Sequence, residues 1–95
     1  MNLAGRTIEP SRRANARDTV ASYLCDALET ADASVIADAL GVIARTRGIL
    51  LVARDAGLPR ETLYRTLSSD GDPSLSTVLK TMQALGLKLA AVPAD

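Results

Sequence analysis

Histidine, tryptophan and phenylalanine are absent from this chain of 95 residues, which has two tyrosines and one cysteine. With no imidazole, and with Cys25 as its one thiol, the chain can assemble neither a Ser-His-Asp nor a Cys-His nucleophile pair, and the usual zinc ligand sets are excluded. Carboxylates do lie close together, as in Asp70 and Asp72. That pair falls in turn-forming sequence, where solvation and capping are its ordinary roles, and no general acid accompanies it. Catalysis is therefore the least favoured class, and no metal, cofactor or small-molecule substrate is expected. A lone Cys25 closes no intramolecular disulfide, so no oxidising compartment is needed; inside a helical pattern it serves as a small apolar residue. Long apolar runs are missing too. The opening MNLAGRTIEPSRRANARD has no apolar core of the roughly 7–15 residues that a signal peptide needs, and nothing approaches the roughly 18 of a membrane span. A soluble, cytoplasmic protein is expected. At this length one domain forms, burying roughly 60–65% of the surface its unfolded chain exposes, with no room for a second, catalytic domain.

What is present points to helices. Alanine occurs sixteen times, and strand-favouring residues are sparse before the C-terminus, so an all-α domain is expected. Residues 1–17 hold Arg6, Arg12, Arg13 and Arg17 with Pro10 and few apolar side chains, and read as a basic, flexible arm ahead of one domain over 18–95. From Asp18, a candidate cap, Val20, Tyr23, Leu24, Ala27, Leu28 and Ala31 fall on one helical face. Asp32 can cap a second helix, with Val35, Ile36, Ala39, Leu40, Ile43 and Ala44 inward and Gly48 as its stop. Two short helices follow, Ile49 to Ala56 and Arg60 to Leu67, broken by Gly57, Leu58 and Pro59. The stretch SSDGDP (68–73) is turn chemistry, in which Gly71 tolerates a positive φ. A fifth helix, about Ser74 to Leu85, is expected to bury Leu75, Val78, Leu79, Met82 and Leu85 and to stop at Gly86. Beyond it, Leu87, Leu89 and Val92 alternate as in a short strand. One strand is not stable alone, so these three residues are the candidate dimer interface, pairing with the same strand of a second subunit.

Two short helices about a glycine turn are the pattern of a helix-turn-helix, whose second helix enters the DNA major groove. Ala53 is small where the helices cross and Gly57 lies where the turn needs a left-handed backbone. Val52, Ala56, Leu58 and Leu63 point inward. Outward on the second helix lie Arg60, Glu61, Thr62, Tyr64 and Arg65. Either arginine suits a guanine edge or a phosphate, the hydroxyls of Thr62 and Tyr64 suit phosphates, and Arg54 on the preceding helix can reach the backbone. An ordinary αα-corner with a solvated charged face is the alternative.

The segments ALGVIARTRG, LVARDAGLPRETLYRTLS and VLKTMQALGLKL, within a stretch from Tyr23 to Leu89 of about 70 residues, resemble the HigA-like addiction-module antidote proteins, antitoxins with an Xre/Cro-type helix-turn-helix. The resemblance implies a five-helix homodimer that neutralises a RelE/ParE-superfamily, HigB-like toxin and represses its own operon at operator DNA. The chain departs from the family at Leu50-Leu51, usually a polar pair such as Ser-Gln, and at Pro59, usually Ser. Leucine neither caps a helix nor bonds a phosphate, and a lost Ser cap costs about 1 kcal/mol. Leu50 and Leu51 are expected in the core, with a protein interface as the alternative. Two further readings stay open: an antitoxin whose helix-turn-helix no longer binds DNA strongly, and a phage-type repressor with no toxin partner.

The equality of eleven Lys+Arg and eleven Asp+Glu hides two poles. Residues 18–38 hold five acids (Asp18, Asp26, Glu29, Asp32 and Asp38) and no base, whereas 39–65 hold Arg45, Arg47, Arg54, Arg60 and Arg65 against Asp55 and Glu61. The basic excess coincides with the candidate DNA-facing helices. The acidic stretch, with Asp26 and Glu29 as candidate toxin contacts, suits a basic partner protein; a solvated helix face is the alternative.

Overall fold

The computed structural model describes residues 16–94, with side chains from Asp18 onward. The basic arm expected over 1–17 lies outside the described residues except at Ala16 and Arg17, whose backbone already belongs to the first helix. Five helices follow one another: α1 (Ala16–Glu29), α2 (Ala33–Arg47), α3 (Ile49–Ala56), α4 (Arg60–Thr66) and α5 (Leu75–Ala84). The all-α expectation holds. There is no strand among the described residues, and the arrangement is compatible with a helix-turn-helix domain.

Local chemistry sets most of the helix ends. Asp18 lies in the first turn of α1 and is not its cap. At the other end Ala31 takes a left-handed φ of 54°, and Thr30 supports it. Its hydroxyl donates to the Ala27 carbonyl at 2.6 Å, which also accepts from the Thr30 N–H at 3.1 Å, and accepts from the Asp32 N–H at 3.1 Å, linking the last turn of α1 to the cap of α2. Ala31 therefore belongs to the turn, exposed, and not to the core face expected of it. Asp32 caps α2 as expected, Oδ1 accepting from the N–H groups of Ser34 at 2.9 Å and Val35 at 3.4 Å. Gly48 closes that helix, its N–H donating to the Ala44 carbonyl. Ser74 caps α5 through the Thr77 N–H at 3.0 Å.

The core is built from α1 and α2 packed together, with α3 against both α2 and α5, and α4 held between α3 and α2. Leu24, Leu40, Ile43, Val52, Leu63, Leu67, Met82 and Leu85 meet there. Three sequence expectations fail at its margin. Tyr23 (47%) and Val35 (40%) stay exposed, because the α1–α2 seam closes beside them on the smaller, buried Ala27 and Ala39. Leu50 (57%) and Leu51 face solvent and not the core; the helix starts at Ile49 and directs its buried face through Val52 and Ala53. On α5 the inward face is rotated: Leu75 (66%) and Leu79 are exposed while Thr77 and Thr81 are buried. Both possible stripes share Val78, Met82 and Leu85, and contact with α3 selects the one whose flank carries the threonines. Leu87 packs against the core, which leaves Leu89 and Val92 exposed. A strand in this stretch would need a partner strand that a single chain does not offer.

Thr81 has no exposed surface, and its Oγ1 finds no hydrogen-bond partner among the described residues. An isosteric apolar group removes the cost of a buried unpaired hydroxyl. Thr81→Val is expected to stabilise the domain by about 1 kcal/mol, raising Tm by about 4–8 °C. Thermal unfolding followed by circular dichroism checks this; a lower Tm contradicts it.

Candidate nucleic-acid interface

The turn between α3 and α4 is set by three bonds and one backbone conformation. Gly57 sits at φ 71°, ψ 34°, a left-handed position that costs an L-residue roughly 1–2 kcal/mol. Its N–H donates to the Arg54 carbonyl at 3.2 Å and the Leu58 N–H to the Ala53 carbonyl at 3.0 Å, the paired closure that ends a helix on glycine. Pro59 then occupies the N-cap of α4 in extended conformation, without a side-chain cap. Its carbonyl accepts from the Thr62 N–H at 3.0 Å, so α4 begins in register although no hydroxyl helps it. Ala53 and Leu63 are buried and Leu58 is half-buried against the core, which ties both helices to one body.

The far end of α4 is fixed by two close approaches that the sequence pattern does not reveal. Gly41, buried in the middle of α2, lies against the backbone of Leu67, so that a Cβ there would collide with the Leu67 carbonyl oxygen. Gly71 lies against Thr66 in the same way, its Cβ direction pointing into the Thr66 backbone. Among the described residues the positive-φ glycines are Gly48, Gly57 and Gly86, and Gly71 is not one of them. Its glycine is needed for space and not for the left-handed turn expected of it. The Thr66 hydroxyl also donates to the Thr62 carbonyl at 2.7 Å. The seven residues of α4 are thus held by the glycine turn at one end, by Leu63 in the middle and by two bare glycines at the other.

What α4 presents outward follows from that anchoring. Arg60, Glu61, Tyr64 and Arg65 are exposed, and Thr62 is half-buried instead of open. Arg60 Nε stands 3.7 Å from Glu61 Oε2. Arg54 is exposed on α3 but already engaged, its Nη2 lying 3.0 Å from Asp55 Oδ1 and its Nε donating to the same oxygen. Exposed pairs of this kind contribute about 0–1 kcal/mol, so either arginine can exchange its partner for a phosphate at little cost. Arg45 and Arg47 occupy the last turn of α2, where the helix dipole favours cations. Asp26 and Glu29 are both exposed on α1. Asp26 lines a groove beside Tyr23 and Asp38, neither of which the sequence pattern had marked for binding, and Glu29 does not.

Among the described residues no group of His, Cys, Asp or Glu is placed to hold a metal ion, and no helix is long and apolar enough to cross a membrane.

Comparison with known proteins bears on this geometry. A family model described as "Probable addiction module antidote protein" matches residues 6–93. A protein of Haemophilus influenzae described as an "Uncharacterized protein" is 47% identical over 66 residues, spanning 70% of this chain and 68% of that protein. No solved structure matches the chain. Since the family model spans nearly the whole sequence, the chain belongs to the family of probable addiction module antidote proteins.

Proposed function

We propose that this chain is a HigA-like antitoxin of a type II toxin–antitoxin module. In this reading it binds and neutralises a basic toxin of the RelE/ParE superfamily, and as a homodimer represses its own operon through an Xre/Cro-type helix-turn-helix. It has no catalytic role. Family membership supports the antitoxin half. One observation carries the DNA half: α4 is anchored by Leu63 and by the close approaches of Gly41 and Gly71, and turns Arg60, Tyr64 and Arg65 to solvent. A rigidly seated short helix with an arginine at each end suits the major groove, where bidentate arginine contacts read guanine. Arg54 and Thr62 serve the phosphates, Glu61 has the acceptor for a cytosine amino group, and Ala53, Gly57, Leu58 and Leu63 hold the unit together. Leu89 and Val92 supply apolar surface for the dimer, with half-sites about 34 Å apart.

Fluorescence anisotropy with the DNA upstream of the chain's gene tests this half. With Arg54 of each subunit on a phosphate, the affinity of a dimer should fall with a log–log salt slope of about −2. Arg65→Ala should weaken binding about tenfold and relax the base preference at its position, with the salt slope nearly unchanged. Unchanged binding in that variant removes Arg65 from the interface. A second reading, an antitoxin with no strong DNA binding, is favoured by exposed Leu50 and Leu51 at the start of α3 and by the uncapped start of α4 at Pro59. Absence of specific binding to the upstream DNA would establish it.

A further inference from the structure

Two grooves lie on the α1–α2 side of the molecule. Tyr23 stands as a ridge between two open grooves. One, of about 410 Å³, is mostly apolar, with Val20, Val42, Ile43 and Leu85 in its walls. The other, of about 380 Å³, is lined by Asp26, Thr30, Val35 and Asp38, with no Lys or Arg in its walls. Tyr23, Val35 and Val42 are all at least one third exposed. A half-exposed aromatic flanked by valines and two carboxylates matches one kind of occupant: a long cationic side chain that lays its aliphatic stem on the valine and the ring and its charge between the acids.

We infer that this acidic groove, with Tyr23 as its apolar ridge, is the docking site for an arginine- or lysine-bearing segment of the toxin. The inference rests on the antitoxin reading above and deepens it. Charge decides the occupant. Nucleic acid is repelled by Asp26 and Asp38, and a second copy placed by two-fold symmetry would set acid against acid. A basic protein segment gains both the ring and the carboxylates. The contact set is therefore Tyr23, Asp26, Val35 and Asp38; Glu29 lies outside it.

The test uses the purified product of the reading frame adjacent to the chain's gene as the binding probe, measured by biolayer interferometry against the full chain. Tyr23→Ala should raise Kd at least about tenfold, as loss of an interface aromatic does, and Tyr23→Phe should keep wild-type affinity because the ring carries the contact. Asp26→Asn with Asp38→Asn should slow association about tenfold at low salt and flatten its salt dependence. Asp55→Asn with Asp72→Asn, removing equal charge elsewhere, should change neither. All the substituted residues are exposed, so an unshifted Tm verifies each fold. If wild-type chain binds the probe and the groove variants bind it equally, the groove assignment is overturned and the antitoxin reading stands. If wild-type chain does not bind it, both fall. If Tyr23→Ala instead dissociates a homodimer and leaves probe binding intact, the groove belongs to a second copy and the inference is overturned.

Discussion

Replacing Gly41 with alanine will destabilise the domain by about 2–3 kcal/mol and lower Tm by about 10–20 °C. On helix propensity alone the change should help, since alanine is favoured over glycine by about 1 kcal/mol inside a helix. The structure reverses that sign. Gly41 is buried in the middle of α2, and its missing Cβ is the space in which the Leu67 carbonyl sits, with Arg45 Nη1 3.1 Å from the same point. The arginine can swing aside; the carbonyl cannot, because it belongs to the end of α4, which is also held by Leu63 and Leu67, neither with any exposed surface. A methyl group at position 41 must therefore lift α4 from α2 or bend α2, and overpacking of this kind costs more than propensity returns. Gly57→Ala is the useful comparison. No atom lies within 4 Å of a Cβ there, and the strain is entirely in φ, so the loss should be about 1 kcal/mol. Thermal or urea unfolding of the two variants gives the order directly, and a Gly41→Ala protein as stable as wild type contradicts the close packing described for α4.

The consequence for function is specific. Because Gly41 and Gly71 set the position of α4, a displaced α4 misplaces Arg60 and Arg65 together, and an error of about an ångström is enough to spoil a bidentate contact. If α4 binds DNA as proposed, destabilisation at Gly41 should therefore reduce that binding beyond the loss of either arginine alone.

Much of the fold was legible because helix ends are local chemistry. Asp32, Gly48 and Gly57 act where the sequence pattern puts them, and α3 runs from Ile49 to Ala56 as its apolar spacing predicts. Val52, Ala56, Leu58 and Leu63 of the α3–α4 unit were legible as inward residues, all of them buried or half-buried, whereas Leu50 and Leu51 were not. What failed was tertiary. The apolar stripe of α5 has two flanks of similar merit, and only the approach of α3 shows that Thr77 and Thr81, not Leu75 and Leu79, turn inward. Gly41 reads in sequence as a helix penalty, because the carbonyl that requires it lies 26 positions away, at Leu67. Tyr23 reads as core on periodicity, yet the small alanines of the α1–α2 seam close beneath it and leave it outside. Leu50 and Leu51 departed from their expected burial for a related reason: α3 is too short to bury a second face. The acidic pole was visible in the sequence as a charge run, but its division into groove-lining Asp26 and Asp38 and open Glu29 needed the packing of α1 on α2.

The second large effect concerns the cell. A toxin that arrests growth must be sequestered almost completely, and a complex with Kd near 1 nM leaves about one toxin in a thousand free when antitoxin is in excess near 1 μM. Neutralisation is therefore close to all-or-none. It should also be separable from repression, since α4 carries Arg60 and Arg65 while the acidic groove belongs to α1 and α2. The decisive measurement is the growth of cells that express the product of the adjacent reading frame from one inducible promoter and this chain from another. Growth should arrest with that product alone and resume with the wild-type chain. It should resume equally with the Arg60→Ala, Arg65→Ala double variant, which under the proposed repressor role should fail to shut off the native promoter. Continued arrest beside a soluble, folded wild-type chain would contradict the proposed antitoxin function.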